Sequence, residues 1–323
     1  VTPLHPATRL RDEAATTAEF AADVRAGLAR RPKRIASKWL YDARGSALFE
    51  RICTLPEYYL TRTELAILRE HAGAIGAALG PQPLLVEYGS GSGAKTRLLL
   101  EALQDPVGYV PIELSRSALA DSVERLADAF PQLAVLPLCA DFTAPLALPA
   151  PPRRPRRVVV FFPGSTLGNF DTREAVALLA RMRRTIGAGG AALVGIDLRK
   201  DRATLEAAYN DAAGVTAQFT LNLLARMNRE LGADFDLDRF RHRARWNALA
   251  GRIETHIVSS VEQQVRVGGR RVHFTAGEAM LVEYSCKYTQ AGFERIAARA
   301  GLRVERSWSD PDGAFALELL RPP

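Results

Sequence analysis

The strongest constraint on the fold is a short apolar run, Pro83–Val86, that leads directly into Glu87-Tyr88-Gly89-Ser90-Gly91-Ser92-Gly93 and then a helical pattern over Ala94–Leu103. Glycines at alternate positions let a chain leaving a strand turn tightly, so that its backbone can approach a ligand closely. Strand, glycine-rich turn and helix in that order open an α/β sheet that binds a dinucleotide or nucleoside. The same rhythm continues downstream. Strands are expected at Tyr109–Leu114, about Ala134–Cys139, Val158–Phe162 and Ala191–Leu198, with helices over Arg116–Phe130 and Thr172–Ile186. Val158–Phe162 is apolar throughout, as in a central parallel strand covered on both faces. Asp171 can cap the helix after it, with Glu174 in the first turn, and Gly187, Gly189 and Gly190 end it. The fold class expected is α/β, a doubly wound Rossmann-like sheet with right-handed crossovers.

After Leu198 the rhythm breaks. Leu205–Leu231 reads as two helices around Ala213-Gly214, and Ile253–Glu283 as alternating short strands with a hairpin turn at Gly268-Gly269. Thr289–Ala300 returns to a helical pattern, and Leu302–Ser307 and Ala314–Leu320 read as closing strands of the sheet. Two domains follow from this. Residues 63–199 plus 287–323 form the ligand-binding sheet, and residues 1–62 plus 200–286 form a second, α+β substrate-binding domain.

Composition narrows the function classes. In 323 residues, 47% hydrophobic and 24% charged, no stretch approaches the roughly 18–20 apolar residues of a membrane helix. Val1–Arg11 lacks the apolar core of a secretory signal, so a cytoplasmic protein with no membrane partner is expected. Cys53, Cys139 and Cys286 are scattered and odd in number, and the five histidines show no paired spacing, so neither a disulfide framework nor a metal site is expected. The net charge of +7 comes from separate clusters, Arg30–Arg34, Arg153–Arg157, Arg239–Arg245 and Arg270–Arg271, without the interleaved aromatics of a base-stacking surface. They read as solvated loops, and nucleic acid is not an expected partner. A monomer is expected.

A GxGxG turn alone fits nicotinamide enzymes, methyltransferases and plain tight turns. Glu113, closing the second strand, can accept both hydroxyls of a ribose. Asp141-Phe142, closing the third, offers a polar contact and an apolar wall for adenine. Singly, Glu113 reads as a solvated strand-end acid and Asp141 as a turn cap. Together with the glycine turn they favour S-adenosylmethionine, because a dinucleotide needs GxGxxG spacing and a pyrophosphate-binding helix start.

Beyond this core stand several longer motifs: Trp39-Leu40-Tyr41-Asp42-Ala43, Leu55-Pro56-Glu57-Tyr58-Tyr59 with Thr61-Arg62-Thr63-Glu64, and Gly164-Ser165-Thr166-Leu167-Gly168-Asn169. Further along come Ala208-Tyr209-Asn210-Asp211-Ala212-Ala213-Gly214-Val215-Thr216, Asn228-Arg229-Glu230-Leu231 and Glu283-Tyr284-Ser285-Cys286-Lys287. In this order they resemble the histidine Nα-methyltransferases of ergothioneine biosynthesis. The resemblance runs from about Lys33 to the C-terminus. It implies a class I methyltransferase sheet, a separate substrate domain, and successive methyl transfers onto the α-amine of a free amino acid, histidine, giving hercynine. By motif position it implies that Gly89, Lys95, Glu113, Asp141 and Phe142 hold S-adenosylmethionine, with Tyr41 and Phe49 near its reactive end. Tyr58, Gly164, Asn169 and Tyr209 would hold the amino acid and orient its amine, with Tyr41 and Asn169 as the catalytic pair. Glu283 and Ser285 would hydrogen-bond the imidazole.

Those residue types suit the task. An amide and a phenol can hold a carboxylate without bringing a fixed charge near a sulfonium, and a carboxylate with a hydroxyl can address both imidazole nitrogens. No dedicated base stands out for the α-amine, and water or the Tyr41 phenol can relay its proton. Read from spacing alone, Tyr58 is a core aromatic, Asn169 a turn residue, and Glu283 and Ser285 a solvent-facing pair on an apolar strand that includes Met280, Leu281 and Val282. Thr255 follows Ile253-Glu254 where the family usually carries methionine near the imidazole. N-methylation of another free amino acid such as tryptophan is therefore the alternative.

Overall fold

The computed structural model describes residues 11–13, 16–91 and 93–323, and for 11–13 the backbone only. The expectations that touch Val1–Leu10, His5 among them, and Ser92 of the glycine turn lie outside the described residues. The chain forms two compact units, one of residues 11–13, 60–199 and 287–323, the other of residues 16–59 and 200–286.

The first unit is an eight-stranded sheet. Its spatial order is β1 (Arg11–Glu13), β4 (Leu138–Ala140), β3 (Gly108–Glu113), β2 (Pro83–Tyr88), β5 (Arg157–Phe162), β6 (Ala191–Asp197), β13 (Phe315–Arg321) and β12 (Arg303–Ser309). The first six pair in parallel, and β13 runs antiparallel to both β6 and β12. Every residue of β2 and β6 is buried, which accounts for the apolar runs Pro83–Val86 and Ala191–Ile196. From β2 the chain steps outward through β3 to β4, then returns to β5 on the other side of β2. The reversal therefore falls between β2 and β5, and the carboxyl ends of strands at such a point are where open α/β sheets bind ligands.

Helices α3 (Tyr59–Leu79), α4 (Ala94–Ala102), α5 (Arg116–Ala129), α6 (Thr172–Ile186) and α9 (Gln290–Arg299) accompany this sheet. The α6 start is a full capping box. Asp171 accepts from the Arg173 and Glu174 amides at 2.9 Å, and Glu174 accepts from the Asp171 amide at 2.8 Å. The third strand is shorter than its sequence suggests, with Val135 contributing only an isolated bridge to Tyr109.

The second unit carries α1 (Thr17–Ala29), a 3₁₀ turn at Ser37–Leu40, α2 (Ala43–Ile52), α7 (Arg202–Ala207) and α8 (Val215–Leu231). Its antiparallel sheet has the order β11 (Ala279–Cys286), β8 (Arg252–Ser259), β7 (Phe240–Asn247). Strands β9 (Gln263–Val267) and β10 (Arg270–Phe274) form the expected hairpin, and Gly268 and Gly269 both take positive φ, as a two-residue primed turn requires. Among the described residues no helix is long and apolar enough to cross a membrane.

Further local readings change. Of the basic clusters read as solvated loops, Arg241–Arg245 lies on β7 and Arg270–Arg271 on β10, Arg157 opens β5, and Lys33 within Arg30–Arg34 is buried against Glu278. Register places Arg241, Arg243 and Arg245 on one face of β7, while Phe240, His242, Ala244 and Trp246 share the other face with Ser259, Ile257, Thr255 and Ile253 of β8. Charge at alternate positions concealed a half-buried strand. Another change is on β11. Its pairing with β8 slips between Leu281 and Glu283, leaving Val282 without a partner. Such a bulge reverses the alternation beyond it. Met280 pairs with Ile257, Glu283 with Thr255 and Ser285 with Ile253, so all three lie on the inner face, and Tyr284 opposes Glu254 on the outer face. Glu283 and Ser285 are thus not a solvent-facing pair, and Ser285 is buried.

Candidate active site

In the first unit the candidate residues gather at the carboxyl ends of the parallel strands. Gly89, Gly91 and Gly93 take φ of +78°, +49° and +76°, a region that side-chain-bearing residues rarely adopt. Nothing lies within 4 Å of where a Gly91 Cβ would stand, and at Gly89 the nearest atom is a Phe142 ring carbon at 3.9 Å. The turn therefore offers bare backbone next to an aromatic wall. That wall is built. Phe142 stacks on Tyr88 at 5.5 Å and 21° and meets Phe162 edge-on at 5.5 Å.

Glu113 closes β3 half-buried and accepts from the Leu114 amide at 2.8 Å. Burial raises its pKa, opposed by the backbone amides of Ser115, Leu114 and Gly91. Asp141 accepts from the Thr143 amide at 2.8 Å and the Thr143 hydroxyl at 2.5 Å, so it also acts as a turn cap. A bare-backbone turn, a strand-end acid aimed at that turn and an aromatic plane beside it fit the methionyl, ribose and adenine parts of S-adenosylmethionine.

Under the turn lies a carboxylate of another kind. Glu87, one residue before the end of β2, is 1% exposed. It accepts from Thr96 of α4 at 2.7 and 2.9 Å and, closer still, from the Tyr109 phenol of β3. Burial pushes its pKa up to about 8 against these hydrogen bonds. Glu87 thus ties β2, β3 and α4 together beneath the glycine turn.

The Gly164–Asn169 segment follows β5. Gly164 has φ +76° and donates its amide to both carboxylate oxygens of Glu64, at 3.1 and 2.9 Å. Ser165 is held at φ +55°, and its Oγ accepts from the Asp197 amide at 2.9 Å. Asp197 pairs in turn with Lys287 at 2.6 Å, both side chains being fully buried. Asn169 ends a 3₁₀ turn, Thr166–Asn169, half-buried, its carboxamide without a hydrogen bond among the described residues.

In the second unit the candidates form an aromatic group with a polar end. Tyr41 meets Phe49 at 5.5 Å and Phe219 of α8 at 5.3 Å. Phe49 meets Tyr58 at 6.2 Å, and Tyr58 meets Tyr209 at 6.1 Å. The Tyr209 and Ser285 hydroxyls lie 2.7 Å apart. Burial, reinforced by the neighbouring Tyr209, raises the Tyr58 pKa well above that of an ordinary phenol, so Tyr58 is a neutral hydroxyl donor.

The Tyr209 segment is itself fixed. Asn210 donates to the Ala244 carbonyl at 3.1 Å and accepts from the Ala244 amide at 3.2 Å, so its side chain extends the edge of β7. Asp211 accepts from Val215 at 2.7 Å and Thr216 at 2.8 Å and starts α8. His242 faces the Tyr209 carbonyl with Nε2 at 2.8 Å and the Thr220 hydroxyl with Nδ1 at 3.0 Å. A carbonyl only accepts, so Nε2 carries the hydrogen, and burial lowers the pKa to keep the ring neutral.

Sequence reasoning did not single out Glu64, Glu87, Phe219 or His242. The Thr61-Arg62-Thr63-Glu64 motif marked the first, but its partners come from elements far along the chain. Among the described residues no group of three or more His, Cys, Asp or Glu is arranged to hold a metal.

Comparison with known proteins agrees with this geometry. Residues 20–322 match the family described as histidine-specific, SAM-dependent methyltransferases. The histidine N-alpha-methyltransferase of Mycolicibacterium smegmatis is 44% identical, over 92% of this chain and 93% of that protein. Its counterpart from Mycobacterium tuberculosis is 42% identical, also over 92% and 93%. Ergothioneine biosynthesis protein 1 of Neurospora crassa is 29% identical over 86% of this chain, which spans 32% of that longer protein. With a fitting cofactor turn, a family match over residues 20–322 and near full-length likeness to both mycobacterial enzymes, the chain belongs to the histidine-specific, S-adenosylmethionine-dependent methyltransferases.

Proposed function

We propose that the protein transfers methyl groups from S-adenosylmethionine to the α-amino nitrogen of free L-histidine, giving trimethylhistidine (hercynine) for ergothioneine biosynthesis. The observation that carries this reading is the likeness to two histidine N-alpha-methyltransferases over more than nine-tenths of either chain. The cofactor supplies an electrophilic methyl carbon on a sulfonium. The protein's own task is to hold a neutral amine in line with that carbon.

In this reading residues 63–199 with 287–323 serve the cofactor, and residues 1–62 with 200–286 serve the amino acid. Gly89, Lys95, Glu113, Asp141 and Phe142 hold the donor. Tyr58, Gly164, Asn169 and Tyr209 bind the carboxylate end of histidine, and Asn169 orients the amine. Glu283 accepts from one imidazole nitrogen and Ser285 addresses the other, supported by the bulge that turns both inward and by the Tyr209–Ser285 hydrogen bond. Tyr41 passes the amine proton toward solvent, because Tyr58 keeps its own proton. Aromatic faces at Tyr41, Phe49 and Tyr58 favour the quaternary product by about 1–2 kcal/mol where they are dry. The proposed location is the cytoplasm, and the proposed state a monomer.

The test is a panel of free amino acids incubated with protein and donor and followed by mass spectrometry. Histidine gaining one, two and then three methyl groups is the expected result. Histidine unchanged while another amino acid reacts would refute the assignment. One observation favours a second outcome, tryptophan as substrate. Thr255, 1% exposed and directly across from Glu283, is a smaller side chain than the methionine usual in the family and takes up less space beside a bound ring.

A further inference from the structure

We propose that Glu64 is a positioning residue for donor binding: its carboxylate sets the Lys95 ammonium to receive the donor's own carboxylate, and also holds the Gly164 turn. The proposal rests on the assignment of Lys95 to the cofactor. Three elements distant in the chain meet at this one group. Glu64 comes from α3, Lys95 from the first turn of α4 and Gly164 from the turn after β5. Glu64 is fully buried, its Oε2 lies 2.5 Å from Lys95 Nζ, and both oxygens accept from the Gly164 amide. A carboxylate so placed is tolerated only with partners on it.

One glycine keeps the space and a second borders it. A Cβ on Gly195 of β6 would stand 2.4 Å from Glu64 Oε1, and one on Gly164 would stand 3.4 Å from Lys95 Nζ. Lys95 retains 18% of its side-chain exposure. An ammonium has three hydrogens, and Glu64 occupies one, so donors remain for a ligand. The methionyl carboxylate is the anion of S-adenosylmethionine, and Lys95 stands two residues beyond Gly93, at the helix start that the glycine turn feeds. With Glu64 neutral, Lys95 loses the charge that fixes its rotamer, and Gly164 loses a charge-assisted acceptor.

The test compares two nucleosides by calorimetry. S-adenosylhomocysteine carries the amino-acid carboxylate and 5′-methylthioadenosine lacks it. Glu64→Gln is expected to weaken S-adenosylhomocysteine about tenfold or more and 5′-methylthioadenosine less than about twofold. Equal weakening of both would mean that Glu64 is merely structural and would overturn the proposal, as would no change in either. Lys95→Met should show the same selective loss. If it leaves S-adenosylhomocysteine binding unchanged, the Lys95 assignment itself fails and the proposal with it. If it shows the loss but Glu64→Gln does not, only the role of Glu64 falls. Thermal unfolding of the ligand-free variants reports whether they fold. Should Glu64→Gln fail to fold, Glu64→Asp keeps the charge with a shorter reach and should give a selective loss of a few fold, whereas a loss shared by both nucleosides overturns the proposal.

Discussion

At the scale of single residues, environment assigns distinct roles to groups that look alike in sequence. Glu87 and Glu113 both close strands beside the glycine turn, yet Glu87 is enclosed by Thr96 and Tyr109 while Glu113 faces backbone amides. Glu87 gives a pH prediction with a definite sign. Burial sets its folded pKa at about 8, above the ordinary 4.5 of a glutamate carboxyl. The folded state therefore favours the protonated form. The stability from it is complete below about pH 4.5, declines as pH rises from there, and is lost above about pH 8, by at most about 1.4 kcal/mol per pH unit. Glu87→Gln mimics the protonated form, so its stability relative to wild type should rise between pH 5 and pH 8 in denaturant titrations. A constant difference across that range would contradict the shift. For the substrate group, Ser285→Ala removes the partner of Tyr209. It should raise the KM for histidine about tenfold while S-adenosylhomocysteine binding stays within about twofold. Parallel losses in both would argue against its proposed place at the imidazole.

At the scale of elements, the bulge in β11 carries the largest consequence. Deleting Val282 should remove the bulge yet leave Glu283 opposite Thr255 and Ser285 opposite Ile253, both still on the inner face. Histidine methylation should therefore persist within about tenfold, and so should calorimetric binding of S-adenosylhomocysteine. A loss of about two orders of magnitude or more would show that the kink made by the bulge, and not only the face it sets, presents these side chains. The capping box of α6 is a simpler case. Asp171→Ala removes the acceptor of two backbone amides and should cost about 1 kcal/mol of unfolding free energy, with kinetic constants unchanged.

At the scale of the whole molecule, the chain leaves the first unit after Arg199 and re-enters it at Lys287, and a buried ion pair marks the return. Lys287 meets Asp197 at the end of β6, and the Asp197 amide in turn holds Ser165 in its left-handed conformation. Removing one partner leaves a buried charge uncompensated. Lys287→Met should therefore lower unfolding free energy by about 3–5 kcal/mol, read as a large drop in melting temperature. A drop of less than about 1 kcal/mol would mean that water or another group replaces the lysine.

Much of this was legible from sequence because the information was local. Glycine, proline and capping residues act on their own turns, and a buried parallel strand must be apolar along its length. The sheet, the hairpin at Gly268-Gly269, the α6 boundaries and the cofactor turn follow from those rules, and long motifs outside the core identify the family. What sequence could not settle depended on contacts between distant segments. The spacing of Arg241, Arg243 and Arg245 does not reveal that their neighbours are covered by another layer. Alternation along β11 predicts the wrong face for Glu283 and Ser285, because the parity of a strand is set by its pairing with β8. Glu64 is one acid among many until α3, α4 and the turn after β5 close around it, since a buried charge takes its meaning from the partners that folding brings to it.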